Sequence, residues 1–593
     1  MHAGVRIARA ALACVAIVAV GVVLVSGGSD GDPRTPPALP GLPPPFLGTA
    51  VSGDGGLTAA VDAYGDVVDL RAPGPAGRAL IGNPSDRQAA GTVPVDTGIV
   101  PRVRIGGAAL PMWRADSVSQ RYLEGTSVVR TAARFEQARV VMTAAAASES
   151  LAVVVRARKA NAAPSLSVNV AGEVRCARER RAGQLDLLCR VGRAVPPVPG
   201  GAAAEGSVAR ACSRLLRSAA TDDRRWLSRS LPLDSGIVDT GRQSQQSQRL
   251  DAAVNERDRR LREQSGRLQA SAPDWARAMY QRSLLTIHAL TSRTTGAVAA
   301  GARDGWAYVW PRDAATAALA LAASGHRAEA QHVARFLTGL DLGGAARFDE
   351  TGAPIPGRAA QGDATGWVDA AAAATGVPVP GGHLPWRDRA DYQESSPGTY
   401  LGNALAATGA LSVTNSQHPR VDGPKTQPWL EFSARQQRAV VEAARVAREF
   451  GTGKGLVRSA EDAGSGLDSA AGWAVRPFGL KPLYPTAEET LLRLTRQGTP
   501  YGITPGEGWE GGEDPWTAPT AWSAWALAGL AAEGRGETDR RAALKLLSDL
   551  RRASTMAGDL PERVGVRTGI PTSITPLLWS SAFAVLALRE LWP

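Results

Sequence analysis

The hydrophobic period of this chain changes once, and that change limits what it can fold into. From Phe46 to about Arg193 the apolar residues come in short runs at Leu57–Tyr64, Gly98–Ile105, Ser127–Ala132, Leu151–Ala157 and Leu166–Val170, parted by Gly, Pro and Asp. Runs of this length between turn formers, with no convincing helix among them, predict an antiparallel β-sandwich over 46–240. From Ala272 onward apolar residues recur at helical spacing, predicting helices at Trp275–Leu290, Ala314–Leu321, Ala328–Leu340, Leu401–Leu411, Trp429–Phe450, Ala487–Leu494, Ala521–Ala532, Arg540–Leu550 and Leu577–Leu591. Between them, in a linker over 241–271, Leu250–Leu268 reads as a charged connecting helix. The helical segments show no repeat of fixed length and their loops are long and unequal, which favours a closed toroid of paired helices over an open solenoid. The fold class is therefore β plus all-α, with the sandwich before the barrel.

At 593 residues, with 44% hydrophobic and 21% charged side chains, the chain has enough apolar material for large cores, which excludes disorder throughout. Its net charge of +11 is carried by scattered Arg, densest at Arg175–Arg181 and Arg257–Arg262. No basic stripe with interleaved aromatics is present, so nucleic acid is not an expected partner. Arg6 and Arg9 precede the uncharged stretch Ala10–Gly28, and a Pro- and Gly-rich linker occupies 30–45. Residues 1–29 thus read as a signal anchor that leaves the protein outside the membrane, or as a signal peptide cut near Val25-Ser26-Gly27 and a secreted form. Four cysteines are present. Cys14 lies inside the apolar segment, Cys176 and Cys189 flank a hairpin-like stretch and are expected to form a disulfide, and Cys212 is left over. The six His are scattered, and no Cys/His spacing fits a metal site, so neither metal nor cofactor is expected.

Two formal motif matches carry no chemistry. Gly27-Gly28-Ser29-Asp30-Gly31 falls in the export segment, where no strand-turn-helix can hold a nucleophile. Gly506–Gly511 matches a dinucleotide fingerprint but lies between helices rather than in a βαβ unit. The informative feature is the concentration of aromatic and acidic residues in the loops of the helical part: Trp306–Asp313, Asp391–Glu394, Trp509–Trp516 and Asp559–Glu562. Aromatic faces stack on sugar rings, and Arg, Asp and Glu bond to neighbouring hydroxyls. Glycosidic hydrolysis needs two carboxyl groups, one to donate a proton to the leaving oxygen and one to act on water or the anomeric carbon.

The ordered landmarks Trp310-Pro311-Arg312-Asp313, Asp391-Tyr392-Gln393-Glu394, Gly511–Trp516, Leu560-Pro561-Glu562 and Pro576–Ser580 resemble those of glycoside hydrolase family 15, the glucoamylase-type enzymes. The resemblance spans the exported chain and implies a six-hairpin α/α barrel behind an N-terminal β-sandwich, as in bacterial members. It implies an exo-acting enzyme that releases a sugar, glucose first among candidates, from the non-reducing end of an α-glucoside with inversion. Glu394 takes the general acid's place and Glu562 the general base's, with Trp310, Arg312 and Asp313 holding the terminal sugar and Tyr392, Trp509 and Trp516 lining the pocket. An inverting pair stands about 6.5–9.5 Å apart. Two departures bear on substrate: Gln393 stands where the family usually has Trp, and Ile503–Glu507 replaces a loop that often begins Arg-Tyr-Pro. A trehalase-like barrel enzyme or a glycan-binding homologue without catalysis are the alternatives. Trp367, Trp386, Trp522 and Trp579 read chiefly as core.

Overall fold

The computed structural model describes residues 50–81, 98–105, 107–136, 138–158, 163–170, 174–181, 183–191, 227–230, 252, 254–379, 388–393, 396–413 and 427–593. The apolar N-terminal segment with Cys14 and the linker after it, the stretch holding Cys212, Trp386, and the first part of the expected connecting helix lie outside them. Among the described residues no helix is long and apolar enough to cross a membrane.

The N-terminal part is built from two antiparallel sheets. One runs β1 (Ala50–Gly53), β2 (Thr58–Val61), β3 (Val67–Ala72), β5 (Gly98–Ile105), β11 (Ala163–Val170) and β14 (Leu227–Ser230), with β4 (Arg78–Ala79) on β3 and β6 (Ala108–Pro111) on β5. The other runs β12 (Val174–Arg181), β13 (Gln184–Val191), β10 (Ser150–Arg158), β9 (Ala138–Ala147), β8 (Val129–Phe135) and β7 (Ser117–Tyr122). Alternate residues of both sheets, among them Val61, Leu70, Ile99, Val140, Met142, Leu151, Val153 and Val155, meet in one buried core. The expected strands fall on β2, β5, β8, β10 and β11. Cys176 and Cys189 stand directly opposite each other on β12 and β13 and are bonded.

The connecting helix spans 254–264. It ends short of the expected Leu268 because Ser265 turns its hydroxyl back to the Leu261 carbonyl, 2.7 Å away, and Gly266 follows. Then come α1 (Asp274–Ala289), α2 (Pro311–Ala323), α3 (Arg327–Thr338), α4 (Ala364–Thr375), α5 (Leu401–Val413), α6 (Gln427–Phe450), α7 (Tyr484–Gln497), α8 (Thr517–Ala532), α9 (Glu537–Ala553) and α10 (Leu578–Leu591). Helix α4 was not expected from the sequence. Its segment ATGWVDAAAAAT is almost wholly apolar and is buried on nearly every face, so it shows no helical period. A small sheet, β15 (Gly451–Thr452), β16 (Gly455–Ser459) and β17 (Asp462–Leu467), was likewise unforeseen.

The helices sort into two layers by composition. Helices α2, α4, α5, α8 and α10 are rich in Ala and buried almost throughout, whereas α3, α7 and α9 bury one stripe and expose a charged face. The first group closes a ring in which α2 packs on α4, α4 on α5, α5 on the 3₁₀ helix Ser469–Ala474, that helix on α8, α8 on α10, and α10 on α2. The amphipathic helices form an outer layer. Small residues let the inner elements approach closely: a Cβ on Gly366 would strike the Ala406 carbonyl, and one on Gly409 the Phe478 ring. The axis is plugged by aromatic side chains, Trp367 against Trp473 at 5.2 Å, Trp473 against Trp522 at 5.5 Å and Trp522 against Phe583 at 5.7 Å. The closed barrel behind a sandwich is the expected architecture.

Candidate active site

All six inner elements begin beside the candidate residues. Trp310 is the N-cap of α2, with Arg312 and Asp313 in its first turn. Asp363 caps α4, and the 389–393 segment precedes α5, held by Asn403, whose amide donates to the carbonyls of Arg389 and Ala390 at 3.1 and 3.2 Å. Asp468 caps the 3₁₀ helix and accepts from the Ala470 amide at 2.8 Å. Trp516 caps α8, and Leu577 caps α10 just before Trp579. Helix N-termini carry partial positive charge, which suits the carboxylates gathered there.

Upon the aromatic plug sit Tyr392, 5.1 Å from Trp473 and 5.4 Å from Trp522, and Trp579, 5.1 Å from Trp522. The Arg312 guanidinium lies over Trp579 at 4.5 Å and donates to Asp363 at 2.8 Å and to the Gln361 side-chain oxygen at 2.9 Å. It also faces Asp313 at 3.3 Å. Burial opposes its charge, but Asp363, Asp313 and Asp391 hold it protonated. Asp313 is pushed up to about 7, chiefly by burial; Arg312 pulls it down while Asp363 and Glu562 add to the rise. Its Oδ2 is buried and makes no hydrogen bond, so the group is ion-paired but still has acceptor capacity.

Glu562 sits in the loop between α9 and α10. Its Oε1 accepts from the Trp306 indole N–H at 3.2 Å and its Oε2 from the Ser573 hydroxyl. Its backbone is fixed on both sides, the amide donating to the Ile574 carbonyl and the carbonyl accepting from the Thr517 amide, each at 2.9 Å. Burial raises its pKa, while the Ser573 and Trp306 donors and the charges of Arg563 and Arg358 partly restrain it. Tyr392 donates to Asp468 at 2.9 Å, and the Gln393 amide bonds the same carboxylate at 3.2 Å and the Tyr392 hydroxyl. The Gln that departs from the family pattern is thus tied into the floor of the site.

The structure brings Trp310, Arg312, Asp313, Tyr392 and Glu562 to one end of the barrel. Trp516 joins them through a backbone bridge to Arg563, and Trp509 packs edge-on against Trp516 at 5.9 Å. The indole N–H groups of Trp310, Trp509, Trp516 and Trp579 are buried there without a hydrogen-bond partner, a set of donors suited to hydroxyls. Glu394 lies outside the described residues. Sequence reasoning missed Trp306, Ser573, Gln361, Asp363, Asp468 and Arg358, the last lying over the Trp310 ring at 5.1 Å. Trp306 was within reach, since it opens the quoted aromatic loop. Among the described residues no group of His, Cys, Asp and Glu is arranged to hold a metal.

The sequence of residues 274–340, which includes Trp310–Asp313, matches the family model described as Glycosyl hydrolases family 15. A bacterial glucoamylase complexed with acarbose superposes at a TM-score of 0.63 and 10% identity, covering 95% of this chain and 96% of that chain. That match covers one stretch of the chain, and the superposition gives the whole chain the fold of that glucoamylase. The glucoamylase of Saccharomycopsis fibuligera covers 55% of this chain and 97% of its own, at 14% identity and a TM-score of 0.42. A glycosidase in complex with glucose covers 54% and 97%, at 20% identity and 0.43. No curated protein matches the chain by sequence. The superposition with the bacterial structure takes in sandwich and barrel together, so the two-part architecture of this chain is that fold.

Proposed function

We propose that this chain is an exported, exo-acting hydrolase that releases one sugar, glucose by preference, from the non-reducing end of an α-glucoside with inversion of configuration. The observation that carries the reading is Glu562: a carboxylate with one oxygen bonded by Trp306 and the other by Ser573, across from the Arg312–Asp313 pair. Arg312 and Asp313 present a donor and an acceptor side by side, which suits two neighbouring hydroxyls of a terminal sugar. Tyr392 and Trp579 form the apolar face beneath them. A ring plugged by aromatics admits a chain end and offers no through-passage, which supports exo action.

In this mechanism Glu562 takes a proton from a water that attacks the anomeric carbon, and Glu394, assigned by the resemblance, gives a proton to the departing oxygen. The C–O bond to the leaving sugar breaks as the C–O bond to water forms on the opposite face. Trp306 and Ser573 favour the ionised form of the base against the effect of burial and fix which way it points. Export rests on the Ala10–Gly28 segment, as an anchor or as a cleaved signal, and on the disulfide, which belongs in an oxidising compartment. The deciding experiment is to incubate the exported part with α-1,4, α-1,6 and α,α-1,1 glucosides and follow the product by NMR before mutarotation. Release of β-glucose supports the reading, and retention of configuration or inertness towards all three linkages sinks it.

A further inference from the structure

We infer that the β-sandwich is part of the barrel's catalytic apparatus: Tyr122 fixes Asp559, and Asp559 fixes the loop that presents Glu562. The inference rests on Glu562 being the base.

Asp559 begins the segment Asp559-Leu560-Pro561-Glu562, and its side chain is wholly buried. One carboxylate oxygen accepts from the Tyr122 hydroxyl of β7 at 2.8 Å, and the other accepts from Thr286 of α1 at 3.1 Å. Arg282 of α1 stands 3.7 Å from the same carboxylate, lies over the Tyr122 ring at 3.6 Å, and donates to the Thr126 carbonyl of the sandwich at 2.9 Å. The Tyr122 oxygen is itself held by the backbone of Val51, whose amide donates to it at 2.8 Å. A buried carboxylate keeps its place only while such partners do. Downstream of Asp559 little slack remains. The Leu560 carbonyl accepts from the Leu577 amide at 2.8 Å, Pro561 has a fixed φ, and the Glu562 amide is bonded to Ile574.

The sandwich also reaches two neighbouring walls. Asp62 lies within electrostatic reach of Arg303, three residues before the Trp306 that bonds Glu562. Glu350 accepts from the Ala76 amide of the sandwich at 3.3 Å and from Thr295 at 2.8 Å, and nearby Phe348 pairs with Val309 beside Trp310. Three loops of the candidate site are therefore supported from the other domain. Tyr122, Asp559 and Arg282 are positioning residues in this account, acting through the backbone of 559–562.

The test compares the full-length wild type with Tyr122→Phe, Arg282→Lys and Thr58→Val. Thr58 is the control, since its hydroxyl donates across the domain boundary to the Ala289 carbonyl at 3.1 Å rather than to Asp559, Tyr122 or Arg282. Amide hydrogen exchange is read by mass spectrometry over residues 555–577. Tyr122→Phe is expected to speed exchange there about ten-fold or more and Arg282→Lys to do so less strongly, with Thr58→Val leaving it unchanged. On a substrate the wild type cleaves, Tyr122→Phe is expected to lower kcat about ten-fold with KM within about two-fold. Unchanged exchange in both Tyr122→Phe and Arg282→Lys, or an equal rise in Thr58→Val, overturns the inference. So does wild-type kcat in a Tyr122→Phe protein whose melting temperature has fallen, because the contact is then only glue. A wild type inert towards every glucoside defeats the hydrolase reading instead, and exchange over 555–577 still decides whether the sandwich holds this loop.

Discussion

Replacing Trp306 by Phe keeps an aromatic ring in the loop before α2 but removes the N–H that Glu562 Oε1 accepts at 3.2 Å. A hydrogen bond to a charged group contributes about 1.5–3 kcal/mol net, and the distance here is at the long end, so the lower figure applies. At 1.36 kcal/mol per pKa unit, its loss raises the Glu562 pKa by about one unit, because the bond stabilises only the ionised form. Burial has already raised that pKa from its ordinary value, and the Ser573 hydroxyl remains to restrain it. A base must be ionised to work, so activity falls as pH drops through its pKa. The acid limb of kcat/KM in Trp306→Phe should therefore lie about one pH unit above the wild-type limb, with the alkaline limb in place. The assay is a pH profile of kcat/KM on the best glucoside found. An acid limb that stays put, or moves to lower pH, would refute the assignment of Glu562 as base or of Trp306 as its donor.

Glu562→Gln should lower turnover by about three orders of magnitude or more while substrate binding, measured by calorimetry, survives; loss of both together counts against the base assignment. Glu394→Gln should be partly rescued by a glycosyl fluoride, which needs little acid assistance, and the absence of rescue would argue against its role as acid. Asp313, at about 7 in the folded protein against about 3.9 unfolded, binds its proton more tightly when folded. Its contribution to stability is therefore full below about pH 4 and lost as pH rises towards 7. Asp313→Asn should flatten that decline when melting temperatures are compared from pH 4 to 8, and an unchanged slope refutes it. Reducing the Cys176–Cys189 bond, which closes a separation of 13 residues, should cost the sandwich about 3 kcal/mol, seen as a lower melting temperature with reductant and no change in the Cys176→Ser/Cys189→Ser variant.

What could be read in advance was whatever left a period or a landmark. Strands such as Val129–Phe135 and helices such as Glu537–Ala553 alternate or stripe because one face meets a core and the other is more exposed. Ala364–Thr375 has no wet face and left no stripe, so the helix that carries Asp363 to Arg312 went unseen. Asp468 precedes a 3₁₀ helix of six residues, too short for any period to register. Trp310, Arg312, Asp313 and Glu562 were legible because they lie in landmark loops. Their partners were not: Ser573 is 11 residues from Glu562 and Trp306 is 256, and nothing in a linear sequence ties such residues together.

The aromatic plug has a kinetic consequence. A site whose floor is Tyr392 and Trp579, backed by Trp473, Trp522 and Phe583, is closed along the barrel axis by those rings. In an enzyme acting as proposed, the freed sugar lies deepest and the remaining chain lies between it and the solvent. The shortened chain must back out before the product can follow, so each cut ends an encounter and many chains are trimmed in parallel. In such an enzyme the departing sugar would also compete with the next chain end for Arg312 and Asp313, and its accumulation would be the natural brake on turnover.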